Sequence, residues 1–323
     1  MITNEVLRPP ALRPGDTVLL VSPSGPTRPE RVARGIELLT GWGLRPVPAP
    51  NAYARQGYLA GADELRAADL NAAFADPAVR GIICTRGGYG AQRVVDAIDM
   101  TAVRRDPKVV AGFSDITALQ FALWRGARLV GVHGPVAAWR DERTALDSAQ
   151  SLHAALTTAA PVTVSARDGE ETFGVRVSGR ATGRLLGGNL CLIVASLGTA
   201  DMPDLTGAVL LLEEVQEPPY KIDQMLTQLR RSGVLAGLAG VAVGQFTDCA
   251  DGWGVDVADV LTDRLGDLGI PLLGGLPIGH GVGSPSRSAP RQSWTSTPAR
   301  SPSPRRSTDP RHRRQGGRGR PRG

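Results

Sequence analysis

Apolar positions along the first half of the chain alternate between two rhythms. DTVLLVSPSG (16–25) reads as a strand running into a Gly/Pro turn, and PERVARGIELLTGWG (29–43) as an amphipathic helix stopped by glycine. A short strand follows around Leu44 to Val47, then a helix from about Ala62 to Ala75. The apolar run VRGIICT (79–85) opens into RGGYGAQRVVDAID (86–99), a glycine turn expected to feed another helix. KVVAGFSDITALQ (108–120) repeats the plan with Val109 to Ala111 as strand, and ARLVGVHGP (127–135) adds one more strand. Strand and helix taken in turn predict a parallel sheet covered on both faces, with sites at the carboxyl ends of its strands.

After about Asp141 the rhythm changes. A helix through TALDSAQSLHAALTT (144–158) leads to three segments expected as short strands: PVTVSAR (161–167), ETFGVRVSG (171–179) and RATGRLLGGN (180–189). Then come GNLCLIVASLGT (188–199), AVLLLEEVQ (208–216), a helix through IDQMLTQLRRSG (222–233), VAVGQF (241–246), a helix through VADVLTDRLGDL (257–268) and PLLGGLPIGHG (271–281). The expected fold class is α/β. An N-terminal parallel-sheet domain of flavodoxin-like type spans 1–150, a second mixed α/β domain with a small barrel-like sheet spans 165–281, and a tail spans 282–323.

Composition changes this picture mainly at the tail. The chain has 323 residues, 41 % of them apolar, and a net charge of +6. Residues 282–323 hold eleven Arg, no Lys and one acid, a charge of +10, which leaves the body at −4. An acidic body offers no electrostatic footprint for nucleic acid. The tail is rich in Ser, Pro and Gly and nearly free of aliphatic residues, so it is expected to be disordered. An Arg-rich arm binding RNA is one reading of it. Out-of-frame translation of a GC-rich gene is the better one, because the body also uses 24 Arg against only Lys108 and Lys221.

No run of about 18 apolar residues occurs, and the N-terminus lacks a signal-peptide pattern, so a soluble, cytoplasmic protein without a membrane partner is expected. Cys84, Cys191 and Cys249 lie far apart in apolar segments and read as small core residues, not as a disulfide or zinc set.

The candidate chemistry centres on Ser114, placed on the turn between a strand and a helix in GFSD. A serine nucleophile needs a base, and the base needs an acid to hold its tautomer. His153 reads as a surface helix residue and His312 lies in the tail. His133, in GVHGP, ends a strand of the same sheet, and His280, on a glycine-rich turn, suits a side chain reaching across an interface. Glu213 and Glu214 close a buried strand with side chains on opposite faces, so one of them joins the site, and spacing does not choose between them.

Five blocks in order, RGGYGAQR, GFSDITAL, GRLLGGNLCLIVASLGT, LLLEEVQEPPYKIDQMLTQL and GLPIGHG, resemble the LD-carboxypeptidase family of serine peptidases, which includes muramoyltetrapeptide carboxypeptidases and microcin C immunity peptidases. The similarity runs from about Asp16 to Gly281. The resemblance implies Ser114 as nucleophile, Glu213 as acid and His280 as base. It implies an oxyanion hole from the backbone of Asp115 and Gly88, with Gly87 as the neighbouring alternative. Arg86, Gly87, Gly188 and Asn189 become candidates for substrate binding.

The implied activity is hydrolysis of the amide between an L-centre diamino acid and a terminal D-alanine in cytoplasmic murein tetrapeptides, in peptidoglycan recycling. No metal or organic cofactor is implied, and the family admits a homodimer. The neighbouring reading is cleavage of a peptidyl nucleotide by the same triad. Ile116 stands where α/β-hydrolase elbows carry a second glycine, so a different fold is expected to have reached similar chemistry.

Overall fold

A computed structural model describes residues 5–139, 146–250 and 254–281, together with the backbone of 286–287 and 292–296. The first domain contains β1 (Thr17–Val21), α1 (Pro29–Gly41), β2 (Arg45–Pro48), α2 (Asp63–Ala75), β3 (Val79–Cys84), α3 (Met100–Arg105), β4 (Val109–Gly112), α4 (Ile116–Ala127), β5 (Val132–His133) and α5 (Leu146–Thr157). Its strands lie in the order β5-β4-β3-β1-β2, all parallel. The direction of winding reverses between β1 and β3, so the loops leaving their carboxyl ends diverge and open a crevice.

The second domain contains β6 (Arg176–Val177), β7 (Gly179–Asn189), α6 (Leu190–Ala195), β8 (Ala208–Val215), α7 (Pro219–Arg231), β9 (Gly240–Thr247), α8 (Val257–Leu265) and β10 (Leu272–Leu273). β7, β8, β9 and β10 run parallel, and β6 closes that edge antiparallel to β10. The expected barrel-like sheet is an open one: its two edge strands do not pair among the described residues. β8 is buried along seven of its eight residues, as a central strand covered on both faces must be.

Three local expectations differ from the structure. Residues 161–167 form no ladder, and ETFG is a short 3-10 turn, while residues 179–189 make one strand of eleven residues. The helix expected after RGGYG is two 3-10 turns, Ala91–Arg93 and Val95–Ala97, and Asp99 then caps a fresh start by accepting from the Thr101 and Ala102 amides. The tail, expected to be disordered, supplies β11 (Ser286–Arg287), antiparallel to β5, and β12 (Gln292–Ser296), antiparallel to β7. Edge strands carry unpaired backbone groups that template such additions whatever the side chains. The remainder of the tail lies outside the described residues.

Helix α4 joins the domains. Ile116, Leu119, Leu123 and Ala127 recur at helical spacing and pack with Val110, Cys84 and Ile82 of the first sheet. Phe121 and Trp124, on another side, belong to the core of the second domain with Leu186, Leu190 and Leu212. Burying each of those aromatic rings is worth roughly 1.5–3 kcal/mol. Cys84 and Cys249 are buried as expected of core residues, whereas Cys191 is exposed on the first turn of α6. No helix among the described residues is long and apolar enough to cross a membrane.

α1 presents Val32, Gly35 and Leu39 to the core. The segment after β5 crosses it closely, since a Cβ at Gly35 would lie 2.1 Å from the Ala137 carbonyl oxygen. That segment is held by hydrogen bonds from the Ala137 and Ala138 amides to the Cys84 and Thr85 carbonyls. A Gly35→Ala variant is therefore expected to lose about 1–3 kcal/mol of stability by overpacking, read as a lower urea midpoint with an unchanged slope.

Candidate active site

β4 ends at Gly112 and α4 begins at Ile116, which leaves three residues to reverse the chain. Ser114 takes the strain with φ of +65°, a left-handed conformation that a non-glycine residue adopts at a cost. Gly112 lets the turn close: a Cβ there would meet Ile116 Cγ1 at 2.9 Å and Cys84 Cβ at 3.1 Å. Two hydrogen bonds follow the turn, from the Ile116 amide to the Phe113 carbonyl and from Thr117 to Ser114. The serine hydroxyl is thereby lifted into a cavity of about 720 Å³ at the β1/β3 crevice.

The RGGYG loop covers this turn. A Cβ at Gly87 would lie 2.8 Å from Ser114 Cβ and 3.1 Å from its Oγ, so only glycine fits. Gly88 follows at φ +117°. The Asp115 carboxylate accepts from the Ala91 amide at 2.8 Å and ties the serine turn to the glycine loop. Burial pushes the Asp115 carboxyl above its usual range, partly offset by that amide. Fully buried Arg66 donates to the Pro23 and Gly90 carbonyls and pairs with Asp63, joining the loop after β1 to the glycine loop. The Asp115 and Gly88 amides donate no hydrogen bond among the described residues.

The second domain contributes the other side. β8 aims Glu213 and Glu214 at opposite faces. Glu213, wholly buried, accepts from His280 Nδ1 through Oε2 at 2.7 Å. Glu214 instead accepts from the Asn189 side chain and from the Cys191 and Val215 amides, all at 2.8–2.9 Å. Burial raises the Glu214 carboxyl above its usual range, and those donors oppose the rise. Pairing with a histidine thus distinguishes two adjacent acids that spacing left equal.

His280 stands on a tethered loop. Gln245 binds it twice, through its amide to the Ile278 carbonyl and by accepting from the Gly281 amide. The imidazole packs on Phe113, the residue before Ser114, with ring centroids 4.6 Å apart. His280 and Ser114 line the same cavity.

His133 lies on the far side of Glu213, with Nε2 3.7 Å from Oε1. It is buried, and among the described residues neither ring nitrogen has a hydrogen-bond partner, nor does Glu213 Oε1. Burial lowers the His133 pKa, the Glu213 charge opposes this, and His280 adds to it. His153, the surface candidate, is partly buried and tilts against Trp42 with centroids 5.0 Å apart.

Two expected substrate contacts have other tasks. Asn189 is buried and caps α6, accepting from the Leu192 amide while donating to Glu214. Gly188 is packed against α4 and β5, where a Cβ would lie 2.6 Å from Thr117 Oγ1 and 2.9 Å from His133 Cε1. Neither lines the cavity, whereas Arg86, Gly87 and Gly88 do. Arg28, Arg31, Arg55 and Ser148 also line it. The sequence reading passed over them, since arginines in an Arg-rich chain carry no local signal. Among the described residues no cluster of three or more His, Cys, Asp or Glu is placed to hold a metal ion.

Comparison with known proteins adds to this geometry. Residues 18–134 match the LD-carboxypeptidase N-terminal domain and residues 182–290 the LD-carboxypeptidase C-terminal domain, the latter running nine residues past Gly281. The probable murein peptide carboxypeptidase of Bacillus subtilis is 35 % identical over 84 % of this chain and 86 % of its own length. The murein tetrapeptide carboxypeptidase of Pseudomonas aeruginosa is 33 % identical over 71 % of this chain and 76 % of its own. The microcin C7 self-immunity protein in complex with aspartyl sulfamoyl adenosine superposes with a TM-score of 0.79 at 22 % identity, over 90 % of this chain and 99 % of that one, a likeness of fold.

Two outcomes test the site. Gly87→Ala is expected to leave the fold intact and to lower turnover on the order of a hundredfold by displacing Ser114, measured as kcat beside an unchanged thermal midpoint. Since burial depresses the folded-state pKa of His133, the unfolded chain takes up more protons on acidification. The stability linked to this group is full above about pH 6.5 and is lost as pH falls toward the depressed value. Denaturation curves should show that loss, and His133→Leu should flatten it.

Proposed function

Because the chain belongs to the LD-carboxypeptidase family of serine peptidases, we propose that it hydrolyses the amide between an L-centre diamino acid and the terminal D-alanine of a murein tetrapeptide. The observation that carries this reading is the 2.7 Å contact of buried Glu213 with His280, in one cavity with a serine held at φ +65°.

Ser114 Oγ attacks the scissile carbonyl while His280 Nε2 takes its proton. Glu213 Oε2 holds the Nδ1–H, which selects the tautomer with an unprotonated Nε2 and stabilises the imidazolium. The amides of Asp115 and Gly88 receive the developing oxyanion. The amide C–N bond then breaks, and the leaving D-alanine amine collects the proton from His280. Water next gives a proton to His280, adds to the ester carbonyl and releases the shortened peptide, and Ser114 recovers its hydrogen. Every proton travels through His280, so the reaction balances with water as the only co-reactant. Arg86 lies two residues before Gly88 and is steadied by donating to the Pro26 carbonyl at 3.1 Å, a position suited to the carboxylate of D-alanine.

The murein reading is preferred to cleavage of a peptidyl nucleotide because the relatives at 33–35 % identity bear murein peptidase names, while the immunity protein at 22 % shares the fold. A soluble tripeptide product suits a cytoplasmic recycling enzyme.

Release of D-alanine from a murein tetrapeptide, followed with D-amino acid oxidase, tests the assignment. Ser114→Ala and His280→Ala should each lower kcat by at least about a thousandfold, and Glu213→Gln should be severely impaired while still binding peptide. A folded wild-type protein that releases no D-alanine would refute the proposed activity.

A further inference from the structure

The cavity that holds Ser114 is lined by four arginines, Arg28, Arg31, Arg55 and Arg86, and by no acid among the described residues. Several arginines elsewhere in the body are paired: Arg66 and Arg93 with Asp63, Arg80 with Asp106, Arg230 with Asp267 and Arg264 with Asp263. The side chains of Arg28, Arg31 and Arg55 have neither an ion pair nor a hydrogen bond among the described residues. In a body of net charge −4, three guanidinium groups on one cavity without a partner among the described residues call for a reason.

Their placement is unfavourable without a ligand. Arg28 occupies the N-cap of α1 and Arg31 its first turn, three residues apart and therefore on one side of the helix. Cations there oppose the positive end of the helix dipole, and Glu30 is the single acid in that turn. A second observation is independent of the arginines. Ser148 on α5 lines the same cavity, is fully buried, and its hydroxyl has no hydrogen-bond partner among the described residues. A buried hydroxyl without a partner is costly unless something arrives to meet it.

We propose that Arg28, Arg31 and Arg55, with Ser148, form a second anion subsite that binds an oxyanion on the acyl part of the substrate, apart from the terminal carboxylate. This rests on the carboxypeptidase reading for the identity of the substrate. All three arginines sit on loops and a helix start beyond the carboxyl ends of β1 and β2, on the first domain, so the acyl part lies along the first domain while the scissile bond meets Ser114. Planar guanidinium forks suit carboxylate or phosphate oxygens, and a cavity of one sign also concentrates an anionic substrate from solution. An uncharged acyl part leaves the forks unpaired and binds less well, so the subsite determines specificity.

The test is direct binding to a Ser114→Ala protein by calorimetry. The probes are a murein tetrapeptide and the same peptide with its non-terminal carboxylates converted to carboxamides. Loss of those charges should weaken binding about tenfold or more. The preference should shrink as salt rises and vanish when Arg28→Gln, Arg31→Gln and Arg55→Gln are added, all at exposed positions. Equal affinity for the two peptides would overturn the subsite. Release of D-alanine by the wild-type chain with the same KM from the charged and amidated peptides would overturn it too, and leave the carboxypeptidase standing. Charge-dependent binding with no release from either peptide would instead keep the subsite and remove the carboxypeptidase.

Discussion

The rest of the structure depends on helix α4 being buried on all sides between two sheets. A surface helix can slide or fray, but this one has Ile116, Leu119 and Leu123 in one core and Phe121 and Trp124 in the other. Close packing on both sides fixes its axis, its rotation and the position of its first turn. Ser114 stands just before that turn at φ +65°, a conformation that persists only where the surroundings over-determine it. The surroundings do so: the Asp115 carboxylate is held by the Ala91 amide, and Gly87 closes over the serine. Thr117 Oγ1 accepts from the Asn189 amide at 3.1 Å, which sets the end of β7 against the same turn.

That arrangement explains how the proposed nucleophile from one domain meets the proposed base and acid from another. The Glu213 backbone pairs with Asn189 on β7, and Asn189 touches α4, so the acid is two contacts from the serine. The electrostatics are layered accordingly. Glu213 and His133 are buried at the base of the site, and burial lowers the His133 pKa. Low-dielectric surroundings strengthen the Glu213–His280 contact. The exposed arginines stand at the mouth, where charges screen readily.

Much of this was legible in the sequence. Alternating strand and helix patterns give the parallel sheet, and Ser114 in GFSD stands out because a polar residue interrupts the change of period. His280 is legible from the glycines around it, which free its loop to reach across the domain boundary. Glu213 and Glu214 were not separable, since strand alternation says only that they face apart. Asn189 and Gly188 pose a related ambiguity: GGN on a turn looks the same whether it meets a ligand or makes room for Thr117, His133 and a helix cap. Arg28, Arg31 and Arg55 were invisible because charge reveals function only by what it lacks as a partner, and partners are three-dimensional. The strands at 286–287 and 292–296 were hidden because edge pairing uses backbone groups, to which composition is blind.

The division of tasks between the domains has a mechanical consequence. In the proposed mechanism Ser114, the glycine loop and the arginine subsite all belong to the first domain, while Val215, Gln216, Ile278 and Gly279 of the second domain also line the cavity. Glu213 and His280 would act on the proton, which they reach across an interface made by Phe121, Trp124 and the end of β7. A small slip of that interface leaves the binding groups and the nucleophile in register and displaces the base alone. Proton transfer is the more sensitive partner, since it demands hydrogen-bond distance while carboxylate recognition by long arginine side chains tolerates movement. Packing around α4 therefore sets turnover more than affinity, and the core of the second domain acts on the rate of the proposed reaction through the position of the base.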